Sequence, residues 1–225
     1  MLVTGIKEID TLHIPPRNSF LVLGDPQESK LIFLEQVAFH SLKAGYYCIF
    51  ITTERSPKFI LQNMSKFNWD VQNFLKDRKF FFIDCCSAYL EKREKVESTV
   101  FVDSLSALND ISINLTNLLR KVPKESEVII LLHSLSTLLQ HNKPSEIYKF
   151  LQVMVLRLLQ RNSIILVEMD ETMHEEKVVN MMKHLMDNII EFKREVTSAL
   201  RIRGSINTEW FKYLIGKNGM EVLFY

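Results

Sequence analysis

The sequence predicts an α/β fold: a mostly parallel central sheet flanked by helices, closed at its C-terminal end by an antiparallel edge. Three observations carry this. Short apolar runs rich in β-branched and aromatic residues recur at Ser19–Leu23, Tyr46–Thr52, Phe80–Cys85, Thr99–Val102, Val128–Leu132 and Ile164–Glu168, as expected of strands covered on both faces. Segments with apolar residues at helical spacing lie between several of them, the signature of a doubly wound sheet. After Asp187 the rhythm changes to short strands divided by turns.

Taken in order, residues 1–18 are a short lead, and Pro15-Pro16-Arg17-Asn18 turns the chain into the first strand. Lys30–Ala44 places Leu31, Leu34, Val37, Ala38 and Leu42 at helical spacing, and Gly45 stops the helix. The strand Tyr46–Thr52 ends in Thr53-Glu54-Arg55. Ser56-Pro57 then caps and opens a helix to about Phe67, with Ile60, Leu61, Met64 and Phe67 on one face. Further helical patterns lie at about Ile113–Lys121 and Ser145–Arg161, and Thr172-Met173-His174-Glu175 has the form of a capping box opening a helix to about Met186. Ile189–Lys193, Ala199–Arg203, Trp210–Ile215 and Met220–Phe224 form the closing strands, with turns at Gly204-Ser205 and Lys217-Asn218-Gly219. No linker rich in Gly, Ser or Pro interrupts the chain, so one domain over residues 1–225 is expected.

Hydrophobic residues make up 47% and charged residues 24% of the chain, ample for a core. With 28 Lys and Arg against 27 Asp and Glu, the net charge is +1, so no strong field directs it to nucleic acid or to a membrane. The N-terminal residues lack a signal peptide's apolar core, and no run approaches the roughly 20 apolar residues of a membrane span. Cys48, Cys85 and Cys86 lack metal-ligand spacing. The expectation is a cytoplasmic protein with buried reduced thiols and no resident metal.

The chemistry concentrates at Leu21–Leu31, where an apolar strand enters a tight polar loop and then a long helix. That is the layout of a P-loop, G-x-x-x-x-G-K-[ST]. The candidate nucleotide-binding residues are Gly24, Asp25, Pro26, Gln27, Glu28, Ser29, Lys30 and Leu31. Gly24 and Lys30 match the pattern. Ser29 replaces the second glycine, adding a Cβ where the loop needs positive φ, at a cost of about 1 kcal/mol or more. Leu31 replaces the hydroxyl residue that would hold Mg²⁺. Asp25 and Glu28 add carboxylates where amide dipoles and Lys30 would attract phosphate. The loop keeps its length and its lysine and loses half its chemistry.

An ordered set of segments carries a resemblance. Leu21–Leu31, Ile51–Pro57, Met64–Asp70, Phe82-Ile83-Asp84, His133–Leu138 and Leu200–Ser205 together resemble the RecA superfamily of P-loop ATPases, and within it the KaiC-like branch. The resemblance runs from Gly5 to the end of the chain. It implies the same sheet with a terminal antiparallel edge, and ATP or ADP as ligand, here bound weakly. In KaiC-like ATPases the strand after the P-loop helix ends in a Glu pair that polarises water. Glu54 is followed here by Arg55, so Glu54 is the remnant catalytic candidate. The Walker B strand ends in an Asp that holds the Mg²⁺ shell. His133, ending Ile129–Leu132, is the preferred equivalent because the succession of segments after it matches the family; Asp103, ending Val100–Val102, is the alternative. A [KR]-x-R-G-S segment reaches the neighbouring subunit's nucleotide in a ring, which makes Arg201 and Arg203 candidate subunit contacts. It implies a homo-oligomer or a related RecA-like partner.

Plainer roles stand beside these. Arg201 and Arg203 alternate on one face, a common device on a solvent-facing edge strand. His133 serves as a neutral hydrogen-bonding side chain, since no second ligand accompanies it. His174-Glu175-Glu176 is ordinary helix-start chemistry, and Trp69 and Trp210 pack. Three functions remain open: a pseudo-ATPase acting as a regulatory or scaffolding protein; an active ATPase using Asp103; and a DNA-associated RecA paralogue, against which the near-neutral charge speaks.

Overall fold

The computed structural model describes residues 1–24, 28–90, 93–158, 160–194 and 197–223. The apolar runs become β1 (Asn18–Gly24), β2 (Tyr47–Thr52), β3 (Phe80–Asp84), β4 (Thr99–Phe101), β5 (Val128–His133), β6 (Ser163–Asp170), β7 (Asn188–Arg194), β8 (Ser198–Gly204), β9 (Phe211–Gly216) and β10 (Gly219–Val222). They form one sheet in the order β10-β9-β8-β7-β1-β6-β5-β2-β3-β4. All pairings from β7 through β1 to β4 are parallel, and β7-β8, β8-β9 and β9-β10 are antiparallel. The expected α/β class, with its antiparallel C-terminal edge, is the observed one.

Parallel neighbours need crossovers, and helices supply them on both faces. Those between strands are α2 (Glu28–Lys43), α3 (Pro57–Lys66), α4 (Gln72–Lys76), α5 (Leu108–Lys121), α6 (Leu135–His141), α7 (Pro144–Leu158) and α8 (Glu176–Lys183), while α1 (Lys7–Asp10) precedes β1. Because side chains alternate along a strand, Phe20 and Val22 enter the core beneath α1 to α4, while Leu21 and Leu23 enter the core beneath α5 to α8. Ser56 accepts the Phe59 amide, and Pro57 starts α3, as its sequence indicates. Trp69 is buried and stacks on Phe67 at 4.7 Å. The Gln36 amide grips β10 as a strand neighbour would, donating to the Met220 carbonyl at 3.1 Å and accepting from its amide at 2.6 Å.

Several expectations are corrected. The lead is not a passive approach: Leu2, Ile6, Ile9 and Ile14 are buried, and the Asp10 carboxylate accepts the Thr4 and Gly5 amides to hold α1. α5 starts five residues before Ile113, and α6 precedes the expected Ser145 helix. The capping box at Thr172–Glu175 does not form. Residues Glu171–Met173 make a 3-10 turn, and α8 begins at Glu176 with no side-chain cap. His174 turns away to meet Ser136 Oγ at 2.8 Å. Nor is β8 a bare edge, since it lies between β7 and β9. Cys48, Cys85 and Cys86 are free, and burial raises all three thiols, Cys86 to about 11. Among the described residues no helix is long and apolar enough to cross a membrane.

Candidate functional site

In an open parallel sheet, ligands gather at the carboxyl ends of the strands. Here that end of the sheet carries a row of charged side chains. Strand β1 leads to it through Gly24, whose backbone runs so close to β7 that a Cβ would lie 2.5 Å from the Phe192 carbonyl oxygen. Residues Asp25, Pro26 and Gln27 lie outside the described residues, as does the side chain of Glu28. Helix α2 follows, and Ser29, Lys30 and Leu31 are all buried at its start.

Lys30 is 1% exposed. Its ammonium donates to the Gly24 carbonyl at 3.1 Å and the Met169 carbonyl at 3.0 Å, pairs with Glu168 at 2.8 Å, and bonds the Asp170 carboxylate. Glu168 and Asp170 come from β6, paired alongside Val22 and Gly24 of β1. They are two residues apart on a strand, so both side chains take the same face.

The other Glu168 oxygen lies 2.9 Å from His133 Nδ1. His133 ends β5, and its peptide bond to Ser134 is cis. On the far side, His133 Nε2 is 4.0 Å from Glu54, just beyond β2. Acid and base therefore alternate across the strand ends: Glu54, His133, Glu168, Lys30, Asp170. Burial alone would push the Glu168 carboxyl up. The hydrogen bond and charge of His133, with the charge of Lys30, hold it instead at about 2. Around this row Thr53 Oγ1 donates to the Ser134 carbonyl and accepts its amide, and Ser136 Oγ accepts the Asp170 amide. His174, beside Ser136, is lowered by burial, with Asp170 acting the other way.

The fold thus brings Gly24, Lys30, Glu54 and His133 together at the strand ends, with Ser29 and Leu31 buried on either side of Lys30 in the chain. It does not bring Asp103 there. Asp103 follows β4 at the opposite edge, is 85% exposed, and pairs with Arg93 at 2.7 Å. Five strand spacings of about 4.8 Å put β4 roughly 24 Å from β1. Arg201 is not a loose edge residue: its guanidinium bonds Glu191 of β7 and covers the Trp210 ring at 4.3 Å. Arg203, more exposed, approaches Glu191 at 3.7 Å. The residues that sequence reasoning missed are Glu168 and Asp170. The signal was an acidic pair interrupting an apolar strand, and it becomes meaningful only once β6 is known to adjoin β1.

A parallel sheet with a buried lysine opening the helix after β1, and the strand order β1-β6-β5-β2 beyond it, defines a RecA-type P-loop core. More narrowly, this chain belongs to the KaiC ATPase family, whose profile matches residues 2–220. It is similar to a UPF0273 protein of Pyrococcus horikoshii, 35% identical over 103 residues, which is 44% of this chain and 42% of that one. It is also similar to the circadian clock oscillator protein KaiC of a Picosynechococcus, 33% identical over 84 residues, or 37% of this chain and 16% of that protein. The matches thus span less than half the length of these relatives. The crystal structure of a KaiC-like protein from Pyrococcus horikoshii shares the fold, with a TM-score of 0.76 at 14% identity, over 99% of this chain and 98% of that one.

Proposed function

We propose that this chain is a KaiC-like pseudo-ATPase: its nucleotide crevice is closed by its own charges, and it acts through protein contacts as a regulatory or scaffolding subunit. One observation carries the reading. The buried Lys30 ammonium, which in a working P-loop reaches the β- and γ-phosphates, is held here by Glu168, Asp170 and two carbonyls. A phosphate would have to displace a paired carboxylate from a dry site.

The surrounding charge supports the same reading. Glu54, Glu168 and Asp170 set three carboxylates against one ammonium, and a triphosphate entering that field meets repulsion. Magnesium takes hard oxygen ligands, whereas Leu31 has none and His133 is turned to Glu168. Glu54 stands as the outer partner of that imidazole rather than as a base. The distance of Asp103 from the crevice weighs against an active ATPase using it. The pairing of Arg201 with Glu191 and the net charge of +1 weigh against a DNA-associated role. Arg203 is the better placed of the two arginines to reach a neighbouring subunit.

The test is calorimetric titration of ATP and ADP with and without Mg²⁺, alongside turnover of radiolabelled ATP. No saturable heat and no turnover are expected. Hydrolysis that requires Mg²⁺ and disappears in Lys30→Ala would overturn the proposal.

A further inference from the structure

A cavity of about 280 Å³ opens at the amino ends of β3 and β4, the end of the sheet opposite the crevice. Its floor is apolar. Val100 stands beside Ile83 in the β3–β4 register, so Val100 and Phe81 take the same face of the sheet, and Leu118 of α5 completes the floor. One wall is held in place by Ser98, whose hydroxyl donates to the Leu75 carbonyl at 2.8 Å and whose carbonyl accepts the Phe82 amide at 3.0 Å.

Three exposed side chains of both signs stand around this floor: Arg78 ahead of β3, Glu97 ahead of β4, and Lys121 in the last turn of α5. Among the described residues none of the three makes an ion pair, with one another or with anything else. Helix-end electrostatics does not explain the set. Arg78 and Glu97 belong to no helix. The carbonyls at the C-terminal end of α5 are already served by Arg161, whose guanidinium donates to Leu119, Val122 and Pro123. Lys121 is left to face the cavity.

We propose that this cavity binds a free apolar α-amino acid in its zwitterionic form. The carboxylate takes Arg78, in the two-pronged geometry that a guanidinium offers, with Lys121 beside it. The ammonium takes Glu97, and the side chain lies on Phe81, Val100 and Leu118. Ligands of one sign fit less well. A simple anion matches Arg78 and Lys121 but brings its charge against Glu97, and a simple cation meets two like charges. The volume is at the small end for small-molecule sites, which suits an occupant of this size. Because the charged groups are exposed, their contacts are screened and binding is weak, with a Kd of about 0.1–1 mM. None of these residues belongs to the crevice, and the proposal does not rest on the state of the nucleotide site.

Titration of the ¹⁵N-labelled full chain, followed by amide NMR, tests it. The probes are L-leucine, L-isoleucine, L-valine, L-methionine and L-phenylalanine. Glycine serves as the amino acid without an apolar side chain, 4-methylpentanoate as leucine without its ammonium, and 3-methylbutylamine as leucine without its carboxylate. Saturable shifts centred on the amides of Ser98, Thr99 and Lys121 are expected with at least one apolar amino acid, and affinities lower by about tenfold or more with the three controls. Arg78→Ala is expected to weaken the amino acid by about tenfold or more. Glu97→Gln is expected to weaken it likewise while leaving 4-methylpentanoate bound as well as, or better than, by the parent. Both positions are exposed, and circular dichroism verifies that each variant is folded. No saturable shift with any of the five amino acids overturns the proposal. So does a parent chain that binds 4-methylpentanoate as tightly as L-leucine, or an affinity that ignores both substitutions.

Discussion

Replacing Lys30 by Met removes the ammonium from a buried row of carboxylates and leaves the helix and its packing otherwise intact. The magnitude follows from Glu168. Its carboxyl is held at about 2 against an ordinary value of 4.5, by His133 first and Lys30 second; the whole shift corresponds to about 3 kcal/mol of folding stability at neutral pH, of which Lys30 supplies only a part. For an acid lowered by folding, that contribution is present above pH 4.5 and is lost as pH falls toward 2. Without Lys30, Asp170 also loses its partner, and an unpaired buried charge costs about 3–5 kcal/mol. The expected loss for Lys30→Met at pH 7 is therefore about 3–5 kcal/mol, or roughly 10 °C in melting temperature for a chain of this size. Urea unfolding followed by the fluorescence of buried Trp69 measures it directly. The deficit is expected to shrink as pH is lowered and Glu168 takes up its proton. It is also expected to shrink in Lys30→Met combined with Glu168→Gln and Asp170→Asn. A loss below about 1 kcal/mol, the range of a surface pair, would show that Lys30 is free of its carboxylates and would refute the argument.

Two further predictions concern the scaffold around the crevice. Glu35 on α2 is wholly buried; Asn63 Nδ2 donates to its Oε2 at 2.7 Å, and its Oε1 has no partner. Burial raises the carboxyl to about 8, with Asn63 and Lys66 opposing. The unfolded chain ionises first, so this group's contribution is lost as pH rises from 4.5 to about 8. Glu35→Gln is expected to remove that slope and to exceed the parent by up to about 5 kcal/mol at pH 8, with little difference at pH 4.5; parallel stability–pH curves from urea melts would count against it. Gly24→Ala would drive a Cβ against the Phe192 carbonyl oxygen, with an expected loss of about 1–3 kcal/mol in a thermal melt.

The sheet was legible because buried parallel strands are apolar without alternation, and runs such as Val128–Leu132 have no other ready interpretation. Boundaries drifted where polar residues continued a strand. β6 runs two residues past Glu168, and those two residues include half of the lysine's counter-charge. The lysine, Glu54 and His133 could be placed at one crevice from their positions at strand ends. The ion pairs could not, since partners 138 and 140 residues apart in sequence meet only through the order of β1 and β6. Thr172 shows the opposite error. A locally favourable capping pattern lost to a long-range bond between His174 and Ser136, as tertiary contacts routinely override local preference.

The position of β1 between β6 and β7 also has a consequence for biosynthesis. This strand is made well before its two neighbours, which come from residues beyond 160. Until they emerge, an apolar ribbon around Phe20–Leu23 has both edges open, and such edges invite wrong partners. Closing the sheet then requires joining segments far apart in the chain, a slow step. The sheet therefore closes only after β6 and β7 have emerged, and chaperone depletion should reduce its yield more than that of a helical bundle of equal length.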